Sequence, residues 1–139
     1  MSEAVVKFPR KGRARKPAAG TLACPAHVVG IAREEWDRVV AATKAARILT
    51  AENGALLEAY CIAYARWRAA EAHLALHGPI VPTPRTGAPM HSPMATVAAK
   101  ERDAMMRLAD VLGLTPRARG QIEAAKDADD NGGWDGLLA

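Results

Sequence analysis

The chain has 139 residues, which suits one domain with tails, and half of them are hydrophobic, so a packed core is within reach. Much of that half is alanine and only six residues are aromatic, so the core of one copy would be thin and self-association is expected. The formal charge of +4 is split: residues 1–20 carry a net +5 and residues 123–139 a net −4, a pattern that suggests two different partners. No apolar run approaches the ~20 residues of a membrane span. The basic N-terminus lacks the apolar segment of a secretory signal. The expectation is a soluble, intracellular protein with no membrane partner.

Residues 1–25 read as a disordered basic arm, followed by a helical domain over 26–128 and a flexible acidic tail over 129–139. The arm is rich in Lys, Arg, Pro, Gly and Ala and has no apolar period. Its six cations, Lys7, Arg10, Lys11, Arg13, Arg15 and Lys16, fall within ten residues. Such a cluster can neutralise several phosphates and bind nucleic acid with a steep salt dependence. A solvated tail is the alternative.

A first helix is expected over about 27–46, with Val28, Ile31, Ala32, Trp36, Val39, Val40 and Thr43 as its apolar stripe. Glu34, Glu35 and Asp37 come early and Lys44 and Arg47 late, an order that complements the helix dipole. A second helix is expected from Thr50, as N-cap, to about His77, where Gly78-Pro79 stops it. Leu56, Tyr60, Ala63, Tyr64, Trp67, Ala70, Glu71 and Leu74 would share one face. Tyr60, Tyr64 and Trp67 therefore read as core residues, since a base-stacking platform needs exposed aromatics interleaved with cations. Arg66 and Arg68 would flank that face, either solvated or paired with a neighbouring chain.

Residues 79–93 carry five prolines and form a connector, either a short β-hairpin around Thr86-Gly87 or an extended loop. A third helix follows over about 93–112, with Ser92 as N-cap, Pro93 at the first helical position and Gly113 as its stop. Thr115 and Pro116 open a short polar fourth helix over about 116–128. In the acidic tail Trp134, Leu137 and Leu138 stand out. They either dock onto a partner or fold back onto the body.

The apparatus of catalysis is missing from the pattern. There is no glycine-rich phosphate loop and no His and Cys set with zinc spacing. Cys24 and Cys61 read as reduced thiols, the latter as a small core residue. His73 and His77 are four apart on one helix but lack a third ligand at a suitable offset. No catalytic residue, metal ligand or cofactor is expected, and the chain reads as a non-enzyme.

The stretches "LTAENGALLEAYCIAYARWRAAEAHLALHG" and "SPMATVAAKERDAMMRLADVLGLTPRARGQI", joined by the proline-rich connector and preceded by "EEWDRVV", resemble the small terminase subunits of tailed double-stranded-DNA bacteriophages. The likeness covers about residues 25–123. It implies an all-α fold in which a long helical hairpin with short flanking helices assembles into a ring-shaped homo-oligomer of roughly eight to eleven copies. It also implies binding of viral DNA at the packaging initiation site and recruitment of the large terminase subunit, which holds the ATPase and nuclease. The place of action would be the cytoplasm of the infected bacterium. Some members carry a separate N-terminal helix-turn-helix domain, for which 25 residues are too few. DNA contact would then fall to the arm, to the first two helices, or to the ring surface, with Arg85, Arg117 and Arg119 as further candidates. Trp134, Leu137 and Leu138 would dock the large subunit. The rival readings are a small helix-turn-helix transcription regulator and an adaptor that binds no DNA.

Overall fold

The computed structural model describes residues 22–44 and 48–130, with side chains as far as Asp127. The cationic cluster of the arm, and Trp134, Leu137 and Leu138, lie outside the described residues.

Helix α1 spans Ile31–Lys44. It starts later than the apolar pattern suggests because Gly30 takes a left-handed conformation (φ 58°) and its carbonyl accepts from the amides of Arg33 and Glu34 at 3.0 and 3.1 Å. Val28 stays outside the helix and is nonetheless buried. Ala32, Glu35, Trp36, Val39 and Thr43 form the buried stripe of α1, at helical spacing. Trp36 supplies the largest part of it. Burying roughly 200 Å² of indole is favourable by about 5 kcal/mol at 25 cal/mol per Å².

A single 3₁₀ turn, Ala51–Asn53, leads into α2, Gly54–His77. Thr50 does not cap it through its side chain, contrary to the sequence pattern. At the other end α2 stops at Gly78 as expected, with the Gly78 amide donating to the Leu74 carbonyl at 2.8 Å. The connector is a β-hairpin: β1, Ile80–Pro82, pairs antiparallel with β2, Pro89–His91, in the register Ile80↔His91, Val81↔Met90, Pro82↔Pro89. Helix α3 spans Pro93–Val111, and Ser92 Oγ accepts from the Met94 amide at 3.3 Å, the expected cap. After the turn at Gly113, α4 spans Pro116–Asp130. Thr115 Oγ1 accepts from the Ala118 amide at 3.3 Å and donates to Asp110 Oδ1 at 2.6 Å, tying the start of α4 to the end of α3.

The architecture is mostly helical, and the two-stranded hairpin is its one departure from an all-α fold among the described residues. Helices α2 and α3 pack along each other as an antiparallel pair. Their contacts run inward in step from the connector: the Ser92 amide donates to the Pro79 carbonyl, Arg66 pairs with Glu101, and Leu57 and Tyr60 share one buried core cluster with Ala109 and Leu112. The core sits at the far end of this pair, where α1 covers α2. Val28, Trp36, Leu57, Cys61 and Leu112 are each at most 2% exposed there. Toward the connector the seam is closed by Ala63, Ala70 and Ala98, which let the helices approach closely but bury little.

The apolar face of α2 is rotated from the expected one. Leu57 and Cys61 are the deepest residues, whereas Leu56 is 37% exposed and Tyr64 and Trp67 are only partly buried. Of the three aromatics, Tyr60 alone belongs to the buried core; Tyr64 and Trp67 form a tilted pair, with ring centroids 5.9 Å apart and planes at 58°.

Candidate nucleic-acid interface

The described residues sort the cations into those already partnered and those left open. Glu35, on the buried stripe of α1, is 3% exposed and receives both Arg38 Nε at 2.7 Å and Arg38 Nη2 at 2.6 Å. Tyr60 Oη donates to the same carboxylate at 3.0 Å from α2. These hydrogen bonds to Glu35 hold the Arg38 guanidinium charged, against the opposing effect of burial. Burial, then the hydrogen bond to Glu35, pushes the Tyr60 phenol above its ordinary range, so it remains a donor. Arg33 pairs with Asp37 at 3.4 Å, Arg66 with Glu101 at 3.6 Å, and Arg102 with Asp103 at 3.8 Å. Arg66 thus finds its partner within the chain.

Arg68 has no such partner among the described residues. It borders a cleft of about 210 Å³ between α1 and α2, together with Ile31, Glu34, Glu35, Arg38 and Tyr64. The cleft and the Glu35 network were not legible in the sequence. Glu35 reads there as an ordinary acid near a helix start, and only the three-dimensional fold brings Tyr60 onto it across 25 positions.

Among the sequence candidates, Arg85 lies exposed in the turn of the β-hairpin. Arg117 and Arg119 are exposed in the first turn of α4, and Arg119 Nη2 donates to the Leu114 carbonyl at 3.1 Å. The structure does not bring Arg85 together with the other two. The hairpin and the start of α4 lie at opposite ends of the α2–α3 pair.

His27 Nε2 lies 2.6 Å from Glu58 Oε1 and ties the segment before α1 to α2. His73 and His77 lie with ring centroids 4.4 Å apart, and His73 Nδ1 is buried without a hydrogen-bond partner among the described residues. No group of three potential metal ligands occurs among those residues. None of the described helices is long and apolar enough to cross a membrane.

The family model for the phage terminase small subunit matches residues 32–129, from the first turn of α1 to the last turn of α4. The chain belongs to the phage terminase small-subunit family. Comparison with curated proteins and with solved structures gives no match. Membership gives the chain a role in phage DNA packaging. The matched span takes in the helical pair, the β-hairpin and the three arginines Arg85, Arg117 and Arg119. The six arm cations and Trp134, Leu137 and Leu138 fall outside it.

Proposed function

We propose that this small subunit binds double-stranded viral DNA at the packaging initiation site, as a ring of roughly eight to eleven copies. It then brings that DNA to the large terminase subunit in the cytoplasm of the infected host. It supplies no catalysis of its own. The family match over the whole helical body is the observation that carries this reading.

The arm carries the DNA affinity in this proposal, with Lys7, Arg10, Lys11, Arg13, Arg15 and Lys16 on phosphates and Arg85, Arg117 and Arg119 adding contacts from the body. Arms gathered around a ring act at high effective concentration, so individually weak contacts become tight binding. Self-assembly is supported by the thin alanine seam and by large apolar side chains left in water. Leu76 is 81% exposed on α2, and Val111 and Met106 are 67% and 54% exposed on α3. A contact between unlike faces of adjacent copies closes into a ring when the rotation fits.

Light scattering or native mass spectrometry of the purified chain tests the assembly, starting from a monomer of 14.7 kDa. A discrete closed oligomer supports it, and a monomer or dimer at micromolar concentration removes it in favour of a dimeric regulator. Replacing the six arm cations by alanine is expected to weaken duplex binding and flatten its salt dependence. An unchanged slope takes the arm out of the account.

A further inference from the structure

The β-hairpin between α2 and α3 has a fixed shape that packing does not explain. Every residue from Pro84 to His91 is exposed. A two-stranded hairpin is marginal by itself in water, yet this one is closed by its own hydrogen bonds. The Thr83 amide and Thr83 Oγ1 both donate to the Ala88 carbonyl at 2.8 Å, and the Gly87 amide donates to the Thr83 carbonyl at 2.8 Å. Gly87 takes the left-handed conformation (φ 70°) that this turn requires. Pro79, Pro82, Pro84 and Pro89 stiffen the remainder. Pro82 and Pro89 face each other in the ladder and neither has an amide to offer, which blunts both edges against an added strand. What the hairpin presents is its turn, with Arg85 at its centre.

The electrostatics of that end suit a polyanion. The sequence has no Asp or Glu from residue 72 to residue 100, whereas Arg85 and Lys100 are cationic. Arg85 has neither an ion-pair nor a hydrogen-bond partner among the described residues. The basic arm joins the body at the opposite end: Leu22 lies against Gly54, where a Cβ would come 3.3 Å from Leu22 Cδ2. The 24 residues of α2 separate that root from the hairpin base. At 1.5 Å per residue this is about 36 Å, about one turn of B-DNA.

We propose that the hairpin is a second DNA-contacting element, whose turn delivers Arg85 to the duplex about one helical turn away from Leu22, where the described chain begins. The proposal rests on the DNA-binding reading above. A two-stranded ribbon is of a size that the major groove admits, and a preformed turn loses little freedom on binding.

Fluorescence anisotropy with a labelled duplex of about 20 base pairs, two helical turns, tests it on the full-length chain. R85E is expected to weaken binding about tenfold and to lower the salt slope by about one, and R85K to keep the slope. The variant with all six arm cations replaced by alanine is expected to retain a weak, salt-dependent affinity that adding R85E lowers further. If wild type binds and R85E matches it in affinity and slope, the hairpin contact is wrong and the DNA-binding reading stands. If wild type does not bind, both are wrong. The oligomer mass of R85E is measured in parallel. An unchanged mass with weakened binding supports the contact. A reduced mass, with binding lost only in proportion, assigns the hairpin to contacts between copies and overturns the proposal.

Discussion

Glu35 is the most heavily engaged carboxylate among the described residues. Its side chain is 2% exposed and takes two hydrogen bonds from Arg38 and one from Tyr60, joining α1 to α2. Removing it leaves the Tyr60 hydroxyl without its acceptor. The other partner suffers less, because the Arg38 side chain is 64% exposed and water can replace the lost contact. Glu35→Ala is therefore expected to cost about 2 kcal/mol, below the 3–5 kcal/mol of a fully buried pair. Urea unfolding measures it, and a loss under about 0.5 kcal/mol, the range of ordinary surface substitutions, would mean the network contributes nothing net. Beside it, burial and then the charge of Glu35 push the Cys61 thiol from 9.0 up to about 12. The unfolded chain releases that proton first, so this contribution is complete below pH 9 and is lost as pH rises toward about 12. Tyr60 shifts the same way, so stability is expected to fall on the alkaline side, and Cys61→Ala to make that fall shallower. Unfolding midpoints at pH 7, 9 and 10.5 check the slope. Equal slopes in both proteins would show that Cys61 does not contribute to it.

The joint between α3 and α4 depends on Gly113, which is buried and has φ 70°. A Cβ built there would come 2.8 Å from Ile122 Cδ1 of α4 and 3.2 Å from Ile48 Cγ2, which precedes α2. Gly113→Ala thus combines left-handed backbone strain with crowding from two elements, and is expected to destabilise by about 2–3 kcal/mol. Gly87→Ala carries the same strain with nothing within 4 Å, and is expected to cost about 1 kcal/mol. Equal losses for the two variants, read as thermal midpoints, would remove the crowding argument. Helix ends of this kind were legible in the sequence because they depend on neighbours in the chain. Gly113, Ser92-Pro93 and the stop at Gly78 are legible from residue type alone. Thr50 takes the N-cap position of the 3₁₀ turn that precedes α2, but its side chain makes no capping hydrogen bond. The face of α2 differs from the one its sequence pattern suggests for another reason: its alanines are spread around the helix, and α1 and α3 cover two different sides of it. Periodicity then gives no single direction, and only tertiary packing decides that Leu57 and Cys61, not Leu56 and Trp67, lie deepest.

Over the whole molecule, charge is separated along the chain: six cations precede Leu22, and Asp127, Asp129, Asp130 and Asp135 gather at the C-terminal end. The matched family span stops at residue 129, so neither the arm cations nor the tail's apolar residues belong to the shared helical body. Under the proposed function the subunit holds DNA and passes it to a motor, and segregated charge allows the two tasks to use different segments. A short acidic segment bearing Trp134, Leu137 and Leu138 has the composition of a docking peptide, in which a few apolar anchors supply the affinity. Deleting residues 130–139 removes those anchors while leaving the core and the α2–α3 pair untouched. The truncated chain is expected to keep the oligomer mass and duplex affinity of the full chain, and to lose its stimulation of the large subunit's ATPase. The paired readout separates the two tasks. Loss of mass or of DNA affinity would make the tail part of assembly or of DNA binding. Full ATPase stimulation by the truncated chain would instead transfer docking to the helical body, where the exposed Leu76, Met106 and Val111 would be the next residues to change.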